Sequence, residues 1–254
     1  MEIREMITEI KGRLDTRGGL KAVIFVACGG SQAAIYPGKY LLEREANEIA
    51  VSIYNSNEFN YVTPKSLDER CIVICCSLKA TAETVHAVER ARQFGAVTIA
   101  MTGSPETGMA KAGEYVVVYS NGDEQIYSQS NQSMALRLGF EILHQFEGYP
   151  LYHEAMAAFD QIDAIVAESK RSMLPAAQSF AVEYQNDPLF QVLGAGPLYG
   201  TAYSMANCHF MEMHWRNAIM IHSGEYFHGP FEMTSETQPM ILLMATGRSR
   251  FLDE

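Results

Sequence analysis

The side chains best suited to chemistry are concentrated between Cys208 and Pro230. The run Cys208-His209-Phe210-Met211-Glu212-Met213-His214-Trp215 sets one carboxylate among two imidazoles. A second carboxylate follows within Ser223-Gly224-Glu225-Tyr226-Phe227-His228-Gly229-Pro230. Carboxylates and imidazoles need only modest environmental help to titrate near neutral pH, so the set suits proton transfer. His209 and Glu212 are three residues apart, which on an α-helix puts them on one face, whereas His214 points elsewhere. Their spacing matches no common zinc pattern, and no metal or other cofactor is expected. Glu225 has two readings: a part in the chemistry, or a cap on the amides of the glycine turn around it.

A second constellation is built for an anion. Three apolar runs end in turns rich in glycine and hydroxyls: Gly29-Gly30-Ser31, Ser77-Leu78-Lys79-Ala80-Thr81, and Thr102-Gly103-Ser104. In open parallel sheets, ligands sit beyond the C-terminal ends of strands. The first two turns lead into helices, whose free N–H groups and dipole favour negative charge. Gly30 gives the backbone room to approach. The hydroxyls of Ser31, Ser77, Thr81 and Thr84, with Lys79 as a point charge, would satisfy phosphate oxygens. The same Ser and Thr residues also suit plain helix N-caps. Neither G-x-x-x-x-G-K-[ST] nor G-x-G-x-x-G occurs, which argues against a nucleotide.

The elements that must position these groups follow from the hydrophobic pattern. Residues 3–15 carry Ile3, Met6, Ile7 and Ile10 at helical spacing. Ala22–Cys28 is an unbroken apolar run, as in parallel strands covered on both faces. Further strands are expected at 49–54, 71–76, 96–101 and 115–119, with helices at 34–46 and 82–94 between them. This alternation predicts an α/β fold with a doubly wound parallel sheet. From Tyr127 to about Tyr184 the pattern is helical. At Pro188 the first rhythm returns, with strands at 189–193, 218–221 and 240–244 and a helix running to about Trp215. Gln191–Pro197 repeats the strand and glycine-turn design of Phe25–Ser31. Three parts are therefore expected: a first lobe over 1–150, a helical connector over 151–187, and a partial second lobe over 188–254. Three strands would leave long unpaired edges, so further C-terminal chain or another chain is expected to cover them.

Bulk properties exclude several function classes. A formal net charge of −11 over 254 residues argues against nucleic acid, which demands clustered Lys and Arg. No apolar stretch approaches the roughly 20 residues that span a bilayer. Five cysteines at 28, 71, 75, 76 and 208, without a C-x-x-C pair, suit core packing in a reducing compartment. The first 13 residues alternate charged and apolar types, unlike a signal peptide, and a cytoplasmic location is expected.

The block His222-Ser223-Gly224-Glu225-Tyr226-Phe227-His228-Gly229-Pro230, together with the paired strand-to-helix turns, resembles the sugar isomerase (SIS) family. The likeness is to its fructosamine-6-phosphate deglycase branch and to the isomerase half of glucosamine-6-phosphate synthase. Val26-Ala27-Cys28-Gly29, Gly194-Ala195-Gly196-Pro197-Leu198 and Met211-Glu212 before Trp215 resemble the deglycase branch. In this group a glutamate sixteen residues before the histidine of H-G-P is catalytic, and Glu212 and His228 have that spacing. The resemblance implies a ketosamine 6-phosphate substrate, ring opening by His228 and proton transfer by Glu212. It also implies a homodimer in which the neighbouring subunit lends His228, with His209 and Glu225 contributing to substrate binding. An aldose–ketose isomerase, or a protein that only binds a sugar phosphate, are the alternatives it leaves. Glutamine-dependent synthesis is not expected, because no glutaminase lobe with an N-terminal cysteine precedes. Where the family usually has Ser-x-Ser-Gly-x-Thr, this chain reads Ser77-Leu78-Lys79-Ala80-Thr81-Ala82-Glu83-Thr84. Either Thr81 or Thr84 could then hold the phosphate. Family members also run beyond Glu254.

Overall fold

The computed structural model describes residues 1–120 and 126–254. The chain divides into two compact units, Met1–Asp163 and Ala164–Glu254.

The first unit is built on five parallel strands in the order β2-β1-β3-β4-β5. These are β1 (Ala22–Ala27), β2 (Ala50–Asn55), β3 (Cys71–Cys76), β4 (Val97–Thr102) and β5 (Tyr115–Val118). Every residue of β1, β3 and β4 is buried, because helices cover both faces. That double cover is why their sequences run apolar without alternation.

On one face α1 (Ile3–Asp15), α2 (Gly29–Glu45) and α6 (Asn131–Glu147) pack Met6, Ile10, Leu14, Ile35, Leu42 and Leu138 against Phe25, Ile72 and Ile99. On the other, α3 (Ser56–Tyr61), α4 (Ala82–Gln93) and α5 (Gly108–Ala112) press Phe59, Val88 and Met109 onto Ile24, Val73 and Ala100. Neighbouring strand residues thus serve opposite cores, as the two-residue repeat requires. Helices α2 and α6 meet at glycines: a Cβ on Gly38 would stand 2.7 Å from the Ala135 carbonyl oxygen. The helical stretch after α6 consists of α7 (Tyr152–Phe159), within the first unit, and the 23-residue α8 (Ile162–Tyr184).

The second unit repeats the plan on a smaller sheet, β7-β6-β8, again parallel. Its strands are β6 (Leu189–Gly194), β7 (Asn217–His222) and β8 (Met240–Leu243). Phe190, Val192 and Ala218 form a core with Ala202 and Ala206. Phe210 stacks on Phe190 with ring centroids 4.4 Å apart.

The segment between β6 and β7 departs from the single α-helix expected to Trp215. It is a 3₁₀ turn at Gly196–Leu198, a short α9 (Tyr199–Tyr203) and a π-helical stretch over Ser204–Met213. Its last bond runs from the His214 N–H to the His209 carbonyl, five residues back, at 3.1 Å. Core residues at 202, 206 and 210 suit an α- or a π-helix equally, so apolar periodicity could not separate the two. Trp215, at φ +53° and 89% exposed, ends the stretch.

Candidate functional site

In the first sheet the chain leaves β1 for β2 on one side and returns to β3 on the other. The crevice between the C-terminal ends of β1 and β3 is thus the switch point of strand order, where doubly wound sheets bind ligands. Two of the expected turns flank it. Gly29 opens α2 at φ +55°, Gly30 is exposed, and half-buried Ser31 sits in the first helical turn. Behind Ser31 lie Cys76 and Tyr119, both buried, with the Cys76 thiol 3.8 Å from the Tyr119 hydroxyl. Burial pushes the Cys76 thiol up to about 12, against the hydrogen bonds that it shares with Tyr119 and Ser31. It is no nucleophile at neutral pH.

The β3–α4 turn carries the denser set of donors. Ser77 is buried, and its Oγ accepts the Thr81 N–H at 3.1 Å. Lys79 is exposed and makes no ion pair among the described residues. Ala80 holds φ +54°, the left-handed conformation that glycine adopts without strain.

The two threonines take different places. Thr81 is exposed at the N-cap of α4, where its side chain makes no capping bond. Thr84 is 1% exposed, and its hydroxyl is engaged inside the protein, 2.9 Å from Ser56 Oγ and 3.1 Å from Thr81 Oγ1.

The third turn is a buttress. Thr102 is buried and donates to the Leu78 carbonyl at 3.4 Å, and the Gly103 N–H donates to the same oxygen at 3.2 Å. A Cβ at Gly103 would stand 2.6 Å from Leu78 Cδ1 and 3.1 Å from Leu78 O. The side chain missing at 103 is what lets the β3–α4 turn be held this closely. Sequence reading overlooked Ser56, which begins α3 just past the end of β2. The rule that strand ends bear ligand groups, applied to β2 as well, points to it.

In the second unit the register levels Gly194, His222 and Leu243, so β6, β7 and β8 end together. Gly196 takes φ +53° in the turn after β6, and a Cβ on Gly194 would meet that of Ala202 at 2.9 Å. Glu212 and His209 lie on the π-helical stretch, both exposed. A π-helix has more residues per turn than an α-helix, so positions three apart no longer share a face. His209 and Glu212 therefore do not share the face expected of an α-helix, and His209 Nδ1 lies 3.1 Å from the Ser204 carbonyl. Burial raises the Cys208 thiol, and the nearby Glu212 carboxylate adds to the rise.

Glu225 ends the 3₁₀ turn Ser223–Glu225 that follows β7, His228 lies in the turn just after it, and both are exposed. The glycine turn there is capped by His222, whose Nδ1 accepts the Gly224 N–H at 3.0 Å. Glu225 is not the cap. Glu225 and His228 are linked through the main chain, where the His228 N–H donates to the Glu225 carbonyl at 3.0 Å. Glu212 and His228 share no hydrogen bond or ion pair among the described residues. No group of three His, Cys, Asp or Glu is placed to hold a metal among them either. Among the described residues no helix is long and apolar enough to cross a membrane.

The SIS domain family model matches residues 20–141. Fructosamine deglycase FrlB of Bacillus subtilis is 37% identical over 254 residues, spanning 100% of this chain and 76% of that protein. Fructoselysine 6-phosphate deglycase of Escherichia coli K12 is 26% identical, over 91% of this chain and 67% of that one. A crystal structure from Salmonella typhimurium LT2, provisionally described as a phosphosugar isomerase, superposes with a TM-score of 0.93 at 39% identity. It is matched over 99% of this chain and 76% of its own.

Proposed function

This chain belongs to the SIS domain family, and on that premise we propose that it is a fructosamine-6-phosphate deglycase. Its substrate is a sugar phosphate bearing an amine on C1, and its products are glucose 6-phosphate and a free amino acid or amine. The observation that carries this reading is the likeness to fructosamine deglycase FrlB, which spans all of this chain and 76% of that protein. The sixteen-residue spacing of Glu212 and His228 supports it.

On this reading the turns at the β1–β3 switch point hold the 6-phosphate, through Gly30 and Ser31 on one side and Ser77, Lys79 and Thr81 on the other. Thr81 rather than Thr84 faces the anion, since Thr84 is buried behind it. His228 moves the anomeric proton to open the ring. Glu212 then takes a proton from C1, giving an enaminol, and a proton returned to C2 gives an aldimine. Water adds to C1 and the amine leaves, so one water is consumed for each C–N bond broken. The C2 carbonyl takes up the electron pair as C1 loses its proton, the substrate nitrogen gives its lone pair as C2 is protonated, and the protein supplies proton movement and position. His209 and Glu225 line the approach for the amine.

A homodimer completes the site. Glu212 and His228 are exposed and unlinked within one chain, as expected if each Glu212 works with His228 of the partner subunit. Met213, Trp215, Phe227 and Met233 are each at least two-thirds exposed and flank the two residues. An apolar surface of this kind marks an interface. A cytoplasmic setting fits five free cysteines.

The test is a coupled assay of glucose 6-phosphate release from a panel of fructose–amino acid 6-phosphates, with fructose 6-phosphate as control. Release from a ketosamine is the expected result. A second reading, aldose–ketose isomerisation, is favoured by the description of the Salmonella structure. Conversion of fructose 6-phosphate alone would replace the first reading with the second.

A further inference from the structure

The turn after β3 rests on a chain of hydroxyls that reaches back to the loop of another strand. Ser56 is completely buried at the start of α3, and its N–H donates to Cys28 Sγ at 3.3 Å. Its Oγ lies 2.9 Å from Thr84 Oγ1, which lies 3.1 Å from Thr81 Oγ1. Each hydroxyl has one proton to give, so the direction of donation along the chain can be worked out. Among the described residues, Ser56 Oγ has no acceptor except Thr84. If Thr84 donated to Ser56, the Ser56 proton would be buried without a partner, which is costly.

Donation therefore runs from Ser56 to Thr84 to Thr81, and the Thr81 proton is left pointing out of the protein. Two observations agree. The N–H of Thr84 is taken by the Thr81 carbonyl at 2.9 Å, so the Thr81 hydroxyl is not needed as a cap. The Glu83 carboxyl is also held below the usual carboxylate range, first by the Thr81 hydroxyl and then by its own backbone N–H.

We propose that Ser56 is a positioning residue for the phosphate site: acting through Thr84, it commits the Thr81 hydroxyl to donate towards the bound anion. The inference rests on the reading of this turn as the phosphate site. It extends the site to β2, whose loop supplies Ser56.

The test is calorimetric titration of the full chain with fructose 6-phosphate. Ser56→Ala should weaken binding about three- to tenfold, as expected for one hydrogen bond. In a Thr81→Val background the same change should cost nothing further. Thr84→Val should reproduce the loss and Thr84→Ser should keep wild-type affinity. That pair carries the test if Ser56→Ala fails to fold. An unchanged affinity in Ser56→Ala, or the same loss with and without the Thr81 hydroxyl, overturns the inference while leaving the phosphate site intact. No binding by the wild-type chain overturns both.

Discussion

At the scale of single residues, Glu212 carries the proposed proton transfer, and its position on an exposed π-helical stretch keeps it out of the hydrophobic core. A positioned acid–base group typically contributes on the order of 10²–10⁴ in rate. Glu212→Gln should thus lower kcat at least about a hundredfold and leave fructose 6-phosphate affinity nearly unchanged, as steady-state kinetics and titration would reveal. Equal losses in affinity and turnover would make Glu212 a binding residue. Ala80 is the second informative residue. Its left-handed backbone costs roughly 1–2 kcal/mol, against about 0.5–1 kcal/mol for the extra freedom of glycine in the unfolded chain. Ala80→Gly should therefore stabilise by about 0.5–1 kcal/mol, read as a higher urea midpoint. Ala80→Val should shift that midpoint the other way.

At the scale of elements, the anion site depends on how α2 and α6 seat against the sheet. They touch through Gly38, where a Cβ would meet a main-chain oxygen at 2.7 Å and no flexible side chain could give way. Gly38→Ala should destabilise by about 1–3 kcal/mol, seen as a lower Tm. It should also weaken phosphate binding, because α2 carries Ser31. The C-terminal end of α6 is pinned by Glu147, which accepts the N–H groups of Asn47, Glu48 and Ile49. Burial alone would raise this carboxyl, but the three backbone donors and the Asn47 side chain outweigh it, and the group ends below its ordinary value. A depressed carboxylate stabilises the fold above its unfolded value, near 4.3, and loses that contribution as pH falls through the folded value. Glu147→Gln should therefore be less stable than wild type at pH 7. The two urea curves should converge as pH drops below about 4.

At the scale of the whole molecule, two parallel sheets of the same plan each place their functional groups beyond the strand ends. The first offers hydroxyls and amides suited to a phosphate, and the second offers Glu212 and His228. If His228 comes from the partner, a symmetric dimer holds two sites, each assembled from both chains. Mixing inactive Glu212→Gln with inactive His228→Ala and letting subunits exchange should then restore about a quarter of wild-type activity, since half the dimers carry one intact site. No recovery after proven exchange would put both residues to work within one chain.

Much was legible in the sequence because burial leaves a direct trace in residue type. Strands covered on both faces must be apolar throughout, so β1, β3 and β4 announced a doubly wound parallel sheet. Turns that follow them must be small or hydroxylic to admit an anion, so Gly29–Ser31 and Ser77–Thr81 stood out. The block around His228 marked the family. Tertiary structure decided what depends on contacts between distant segments. Thr81 and Thr84 are chemically equivalent in the sequence, and only the fold buries one, against Ser56 from the loop after β2, and leaves the other exposed. Apolar residues every fourth position fit an α- or a π-helix alike, so the separation of His209 from Glu212 appeared only with the backbone. The cause is the same in each case: local pattern records how deeply a residue is buried, while the direction of a hydroxyl or a helix face is set by neighbours far away in the chain.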